Sequence, residues 1–234
     1  LCLKNGISLH FHKTPIYKST TVDIFIRELL QEKRNTRMAL IGCLLERGTR
    51  RWPDMQSLNR CVDEMYGASY AMDLEQLGDQ QLIHLSFEVI DDCFLPEEED
   101  LLKRGFEFLH EILYHPVREG KGIRRDFLKQ EKKALKLRQD SIYNDKMAYA
   151  HRSCIATMCS NESYGLSNLG DYRDFQGINA TNLFGFHQHI LAHNPIDVFI
   201  SGRVGVNRLL DLCSDLFKDA RKPMANAWHV PPPK

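Results

Sequence analysis

The hydrophobic period of the chain changes from two to about 3.6 and back in blocks, and this change limits the fold more than any other feature. After the turn signal Asn5-Gly6, Ile7, Leu9 and Phe11 alternate with Ser8, His10 and His12 until Pro15 stops the run. That is the pattern of a half-buried strand. Val22, Ile24 and Ile26 alternate with Asp23, Phe25 and Arg27 and predict its partner strand. Met38, Ile41 and Leu45 share one face of a helix that Asn35 or Thr36 caps and that runs through Glu46 to a stop at Gly48. Leu58, Val62 and Met65 repeat the helical spacing from Met55 to Tyr66, with Gly67 closing it.

Ala68 to Leu74 and Gln81 to Ile90 then read as two strands joined through Gly78-Asp79. Pro96 followed by four carboxylates opens a helix to about His115-Pro116, because Pro suits the first turn and acids suit the positive end of the macrodipole. A loop with Gly120 and Gly122 leads to a long charged helix from Arg124 to about Thr157. Its core positions are Phe127, Ala134, Leu135 and Leu137. A loop from Tyr164 to Gly177, a helix from Asn179 to Leu191, a strand from Ile196 to Ile200 and a helix from Asn207 to Ala220 complete the order. Strands and helices arranged in blocks with hairpin-type links predict an α+β fold, a largely antiparallel β-sheet covered by helices.

With 43% apolar and 26% charged residues, 234 positions suffice for a substantial core without staples. Residues 1–225 are expected to form one α+β domain, and 226–234, ending in Pro-Pro-Pro-Lys, a linker toward a second α+β domain. Lys plus Arg equals Asp plus Glu at 31 each, so no overall basic field draws in nucleic acid or an anionic membrane. Apolar runs such as Leu82 to Leu85 fall far short of a membrane span, and a cytoplasmic location is expected. The seven scattered cysteines include no C-x-x-C pair and are expected to be reduced and mostly buried.

Other chemistry-bearing residues have plain readings. His187, His189 and His193 have no acid between them and read as surface or corner histidines, and His10 and His12 as a solvated pair on a strand. Cys154 and Cys159, five apart, do not share a helix face, which leaves burial as the expectation. The charge run Lys129 to Arg138 reads as a solvated helix face. G-x-S-x-G, phosphate-loop and dinucleotide strings are absent.

Several strings, in order, resemble the N-terminal half of an insulinase, pitrilysin or mitochondrial-processing-peptidase-type zinc peptidase subunit. They are Asn5-Gly6, Leu45-Glu46-Arg47-Gly48-Thr49, Met65-Tyr66-Gly67-Ala68, Phe127 to Leu135, Tyr164-Gly165 with Gly170, and His193-Asn194 before a strand ending at Gly202. Active members carry H-x-x-E-H on the first helix, where two imidazoles four apart hold Zn²⁺ and the Glu serves as base to a metal-bound water. Anchored on Gly48-Thr49, the corresponding stretch is Ala39-Leu40-Ile41-Gly42-Cys43. Ala39 has no donor, Gly42 no side chain, and Cys43 offers one thiol.

The resemblance places the family's third ligand, a Glu seven residues after another acid, at Arg138, with Glu131 at the earlier position. A guanidinium cannot coordinate a cation. Tyr70 stands where active members have an Asn near the metal. The implied reading is a degenerate half-unit with no catalytic residue, no cofactor and the family zinc lost. Arg138 is expected to pair with Glu131 or another carboxylate of the neighbouring layer and so replace the metal's charge.

What the resemblance implies about function is a structural or substrate-holding subunit. Its partner would be an active peptidase-family paralogue, or it would form a homo-oligomer, with peptide a possible ligand and neither nucleic acid nor membrane involved. The rival readings are a hydrolase using a site shared with another domain or subunit, and a peptide-binding scaffold.

Overall fold

The structure, a computed structural model, describes residues 7–95 and 99–220. The expected linker 226–234 and the Pro96 helix start lie outside the described residues. In chain order the elements are β1 (Ile7–Lys13), β2 (Ser19–Leu29), α1 (Arg34–Leu45), α2 (Met55–Asp63), β3 (Ser69–Leu77), β4 (Gln80–Ile90) and α3 (Leu101–Tyr114). Two short strands follow, β5 (Arg118–Glu119) and β6 (Gly122–Ile123), then α4 (Arg125–Ser141), α5 (Lys146–Met158), α6 (Ala180–His193), β7 (Ile196–Gly202) and α7 (Val206–Leu216).

Five strands form one sheet in the order β1-β7-β2-β4-β3. Every pair is antiparallel except β1 with β7, which is parallel. The α+β class with a largely antiparallel sheet is therefore correct, but β2 is not the neighbour of β1. β7 lies between them, with Val198 beside Leu9 on one side and Ile24 on the other. Parallel neighbours need a long crossover, so this pairing comes from the far end of the sequence and no local pattern announces it.

Alternation along β2 sets the two faces of the sheet. Val22, Ile24 and Ile26 are fully buried under the helices, whereas Asp23, Phe25 and Arg27 are only partly covered on the other face. β3 and β4 turn on Gly78-Asp79 with Gly78 at φ 57°, the residue type that a two-residue hairpin loop needs in its first central position. α1, α3 and α6 supply most of the helical side of the core, including Leu40, Ile41, Phe108, Leu109 and Ile190.

Helix ends depart from expectation where the chain chose a different cap. α1 begins at Arg34 after Lys33 in a left-handed conformation, and Asn35 uses its side chain to accept from Gln31 N–H at 2.8 Å rather than to cap the helix. α3 starts at Leu101, capped by Asp100 accepting from Lys103 N–H at 2.9 Å. The long helix from Arg124 to Thr157 is two helices, because the chain turns through Ile142–Asn144 and Asp145 then caps α5, accepting from Met147 and Ala148 N–H. On α4 the buried seam is Leu128, Glu131 and Leu135, while Leu137 is exposed.

Cys2 lies outside the described residues; the six described cysteines are free, but most are not buried. Cys213 is buried, Cys43, Cys61 and Cys159 are half-buried, and Cys93 and Cys154 are exposed. Cys154 loses the expected cover because α5 buries none of its residues. Among the described residues no helix is long and apolar enough to cross a membrane.

Candidate functional site

α1 presents the stretch Ala39-Leu40-Ile41-Gly42-Cys43 toward α4, and the first four of these residues are buried. A Cβ built at Gly42 would meet no heavy atom within 4 Å. α1 ends at Glu46-Arg47, and Gly48 then makes a turn that only glycine accommodates, with φ 149° and Pro53 and Trp52 backbone 2.8 Å from where a Cβ would sit. That turn fixes where Arg47 points.

Arg47 reaches across to α4 and donates to Glu131 Oε1 through both Nε and Nη2. Glu131 is 5% exposed, so its carboxylate is a buried charge and this guanidinium is its counter-ion. The expected pairing of Arg138 with Glu131 is not formed. Arg138 is exposed, and its guanidinium has no hydrogen bond or ion pair among the described residues. Seven residues separate it from Glu131, and a position two turns on lies too far along α4 to compete with Arg47, which enters from α1. Its charge still acts on the cleft, lowering the pKa of both Cys43 and Glu46.

Cys43 faces Glu131, and its thiol is pushed up to about 11 by burial first and the neighbouring carboxylate second. At neutral pH it is a thiol, not a thiolate. Glu46, which the sequence reading passed over, is raised mainly by burial, and its Oε1 accepts from Met72 N–H at 3.2 Å. Tyr70 lies on the same strand, raised by burial and by Glu46, with its ring edge-on to Phe108 at 5.2 Å. The structure thus gathers Cys43, Glu131, Tyr70, Glu46 and Arg47 into one cleft, with Ala39 and Gly42 on its α1 wall and Arg138 at its rim.

This donor set does not fit a zinc ion. Tetrahedral zinc takes three or four N, S⁻ or carboxylate ligands, whereas the cleft offers a protonated thiol, the Glu131 carboxylate already paired with a guanidinium, and the Glu46 carboxylate engaged by Met72 N–H, with no imidazole among them. No step of metal-assisted hydrolysis follows from these residues.

β3 forms the free edge of the sheet beside the cleft. Two of its outward backbone groups already have side-chain partners: Met72 N–H is held by Glu46, and Leu74 C=O accepts from Asn168 Nδ2 at 3.5 Å. Gln76 Nε2 donates to Tyr164 C=O at 3.3 Å. Gly170 anchors this loop against α1, since its φ of 67° and its contact with Thr36 leave no room for a Cβ.

The remaining histidines are sorted by burial. His189 and His193 stack at 4.4 Å at the end of α6, and His10 stacks on Phe199 at 4.3 Å on the open sheet face. His187 is not a surface residue. It is 2% exposed, bonds Leu113 C=O through Nε2 at 2.9 Å, and is held down to about 4 by desolvation. The His193-Asn194 corner works through Asn194, whose Nδ2 donates to Arg27 C=O at 2.6 Å and to Glu28 Oε2 at 3.1 Å, tying α6 to β2.

No family model matches the chain. A protein of Bacillus subtilis (strain 168) named probable inactive metalloprotease YmfF is 30% identical over 213 residues, which are 91% of this chain and 50% of that protein. Among solved structures, a conserved protein from Enterococcus faecalis V583 superposes with a TM-score of 0.86 at 24% identity, over 98% of this chain and 54% of that one. A peptidase M16 inactive domain from Pseudomonas fluorescens gives 0.74 at 12% identity, over 96% and 51% of the two chains. A protease from Helicobacter pylori gives 0.68 at 15%, over 99% and 52%. The chain spans about half the length of each of these relatives. It is a homologue of a probable inactive metalloprotease with the fold of M16 peptidase domains, as the resemblance in its sequence implied.

Proposed function

We propose, with a degenerate M16-like chain as the premise, that it is a non-catalytic, structural part of a cytoplasmic peptide-processing heterodimer whose partner, an active relative, carries the zinc. The observation that carries this reading is the Arg47–Glu131 pair: the one buried carboxylate of the cleft is taken by a guanidinium, and the neighbouring Cys43 stays protonated. On this reading the cleft holds no zinc and its residues maintain the packing of α1 on α4. Between structural support and substrate holding, the β3 edge favours the first, because Glu46 and Asn168 occupy backbone groups that an added peptide strand would need.

The test is co-expression with a homologue of similar length that retains H-x-x-E-H. A stable complex is expected, with peptide hydrolysis abolished by a chelator or by a substitution in the partner's motif, and no hydrolysis by this chain alone. Failure of the two to associate, or hydrolysis by this chain in isolation, overturns the proposal.

A further inference from the structure

A second group of donors lies away from the α1–α4 cleft. His110 on α3, His115 at its C-terminal end and Asp219 beyond α7 each bring a ligand-type atom to within 4.8 Å of the other two. We propose that these three residues form a binding site for one divalent transition-metal ion, with Zn²⁺ the best match.

The local chain explains why sequence spacing hides this site. Two residues five apart on a regular helix point about 140° away from each other, so His110 and His115 have no shared face as long as the helix continues. It does not continue: His115 leaves the helix with φ −126° and ψ 54°, and its ring comes back to 5.2 Å from that of His110. Arg50 N–H donates to His115 C=O at 2.8 Å and Thr49 bridges to Pro116, so the bend is fixed by the α1–α2 loop. The third donor arrives through the packing of α7 on α3, which sets Asp219 Oδ2 3.0 Å from His110 Nε2.

Donor chemistry selects the class of ion. Two imidazoles and one carboxylate form a borderline nitrogen and oxygen set, suited to zinc with a water as fourth ligand rather than to the all-oxygen shells of calcium or magnesium. His110 is 9% exposed, so its imidazole is held in place by the packing around it. The C-terminal end of α3 adds the negative end of a helix dipole.

The surroundings point the same way. The three residues line a cavity of about 510 Å³, which gives an ion and its water an approach. Two buried polar atoms beside them, Glu111 Oε2 and Tyr114 Oη, have no hydrogen-bond partner in the structure, and buried oxygens of this kind are normally satisfied. Four cations, Arg50, Arg51, Lys103 and Lys218, also border the cavity, and Glu107, Glu111 and Asp215 oppose part of their charge. The site is separate from the cleft that holds Cys43 and Glu131, so it is independent of the fate of the family zinc.

The experiment is titration of the metal-stripped chain with Zn²⁺ against a chromophoric chelator, repeated with Co²⁺ read by its visible absorption. One equivalent is expected to bind. His115→Ala, at a half-buried position, and Asp219→Asn, at an exposed one, are expected to weaken binding by at least roughly tenfold while circular dichroism stays unchanged. Cys43→Ser is expected to leave it unaltered. Absence of binding tighter than about 0.1 mM, binding untouched by both substitutions, or loss of binding on Cys43→Ser overturns the proposal.

Discussion

Arg47, not Arg138, is the counter-ion of Glu131. The carboxylate sits on α4 facing α1, and Arg47, one residue before the Gly48 turn, places Nε and Nη2 on a single oxygen of it. Arg138 lies at the rim in solvent. A cleft built for metal chemistry would present that carboxylate to an ion or a water. Here it is spent on joining α4 to the end of α1, and Arg47, next to the stretch Ala39 to Cys43, does the joining rather than Arg138.

Removing Arg47 should therefore cost far more than removing Arg138. Arg47→Met leaves Glu131 buried without its partner, and breaking a buried pair in this way costs about 3 kcal/mol, somewhat less here because Arg47 is partly exposed. Arg138→Ala should stay within about 0.5 kcal/mol of the parent, as exposed positions do. Arg47→Met combined with Glu131→Leu should recover much of the loss. Urea unfolding of the four proteins checks the order, and equal losses for the two arginines would contradict the assignment.

Gly42 offers a second stability test. It lies inside α1, where glycine costs about 1 kcal/mol relative to alanine, and nothing stands within 4 Å of a Cβ placed there. Gly42→Ala should raise stability by about 0.5–1 kcal/mol, a gain of roughly 1–4 °C in Tm for a chain of this size. Gly170→Ala should do the reverse, because φ is 67° and Thr36 blocks the position. Thermal melts of both variants separate a glycine the fold requires from one it merely contains.

How far the sequence reveals this molecule depends on whether the deciding contact is local. The strands of Ile7, Val22 and Ile196, the Gly78 hairpin and the Asn179 cap rest on residues within a few positions of each other, and all are present. The β1–β7 pairing, the burial of His187 under Leu113 and the break at Ile142–Asn144 depend on distant packing or on a cap that competes with helix continuation. The cleft shows the same division. The family resemblance singled out Ala39, Gly42, Cys43, Glu131, Arg138 and Tyr70, which lie on α1, α4 and β3, but a two-turn spacing on one helix suggested the wrong partner for Glu131. Arg47 and Glu46 stood within the quoted string Leu45 to Thr49, and only the fold gave them roles. His110, His115 and Asp219 had no signal, since a five-residue spacing and a distant carboxylate form no helical pattern.

The last prediction concerns acid stability and rests on His187. In the folded chain its Nε2–H donates to Leu113 C=O at 2.9 Å, its Nδ1 is buried without a partner, and burial holds it neutral down to about 4. Once unfolded, the same imidazole takes a proton near its ordinary value of about 6.5. Between these two values the unfolded chain binds more protons than the folded one, so stability falls as pH falls. The fall begins near pH 6.5 and is complete near pH 4, and a gap of this size amounts to at most about 3 kcal/mol. His110, lowered chiefly by burial, adds to the slope with the same sign. His187→Leu should be less stable at pH 7 by about 1 kcal/mol, because Leu113 C=O loses its donor, yet it should lose less on acidification. Unfolding free energies measured from pH 7.5 to 4.5 should therefore converge as pH falls; parallel curves would show that His187 does not carry the acid limb.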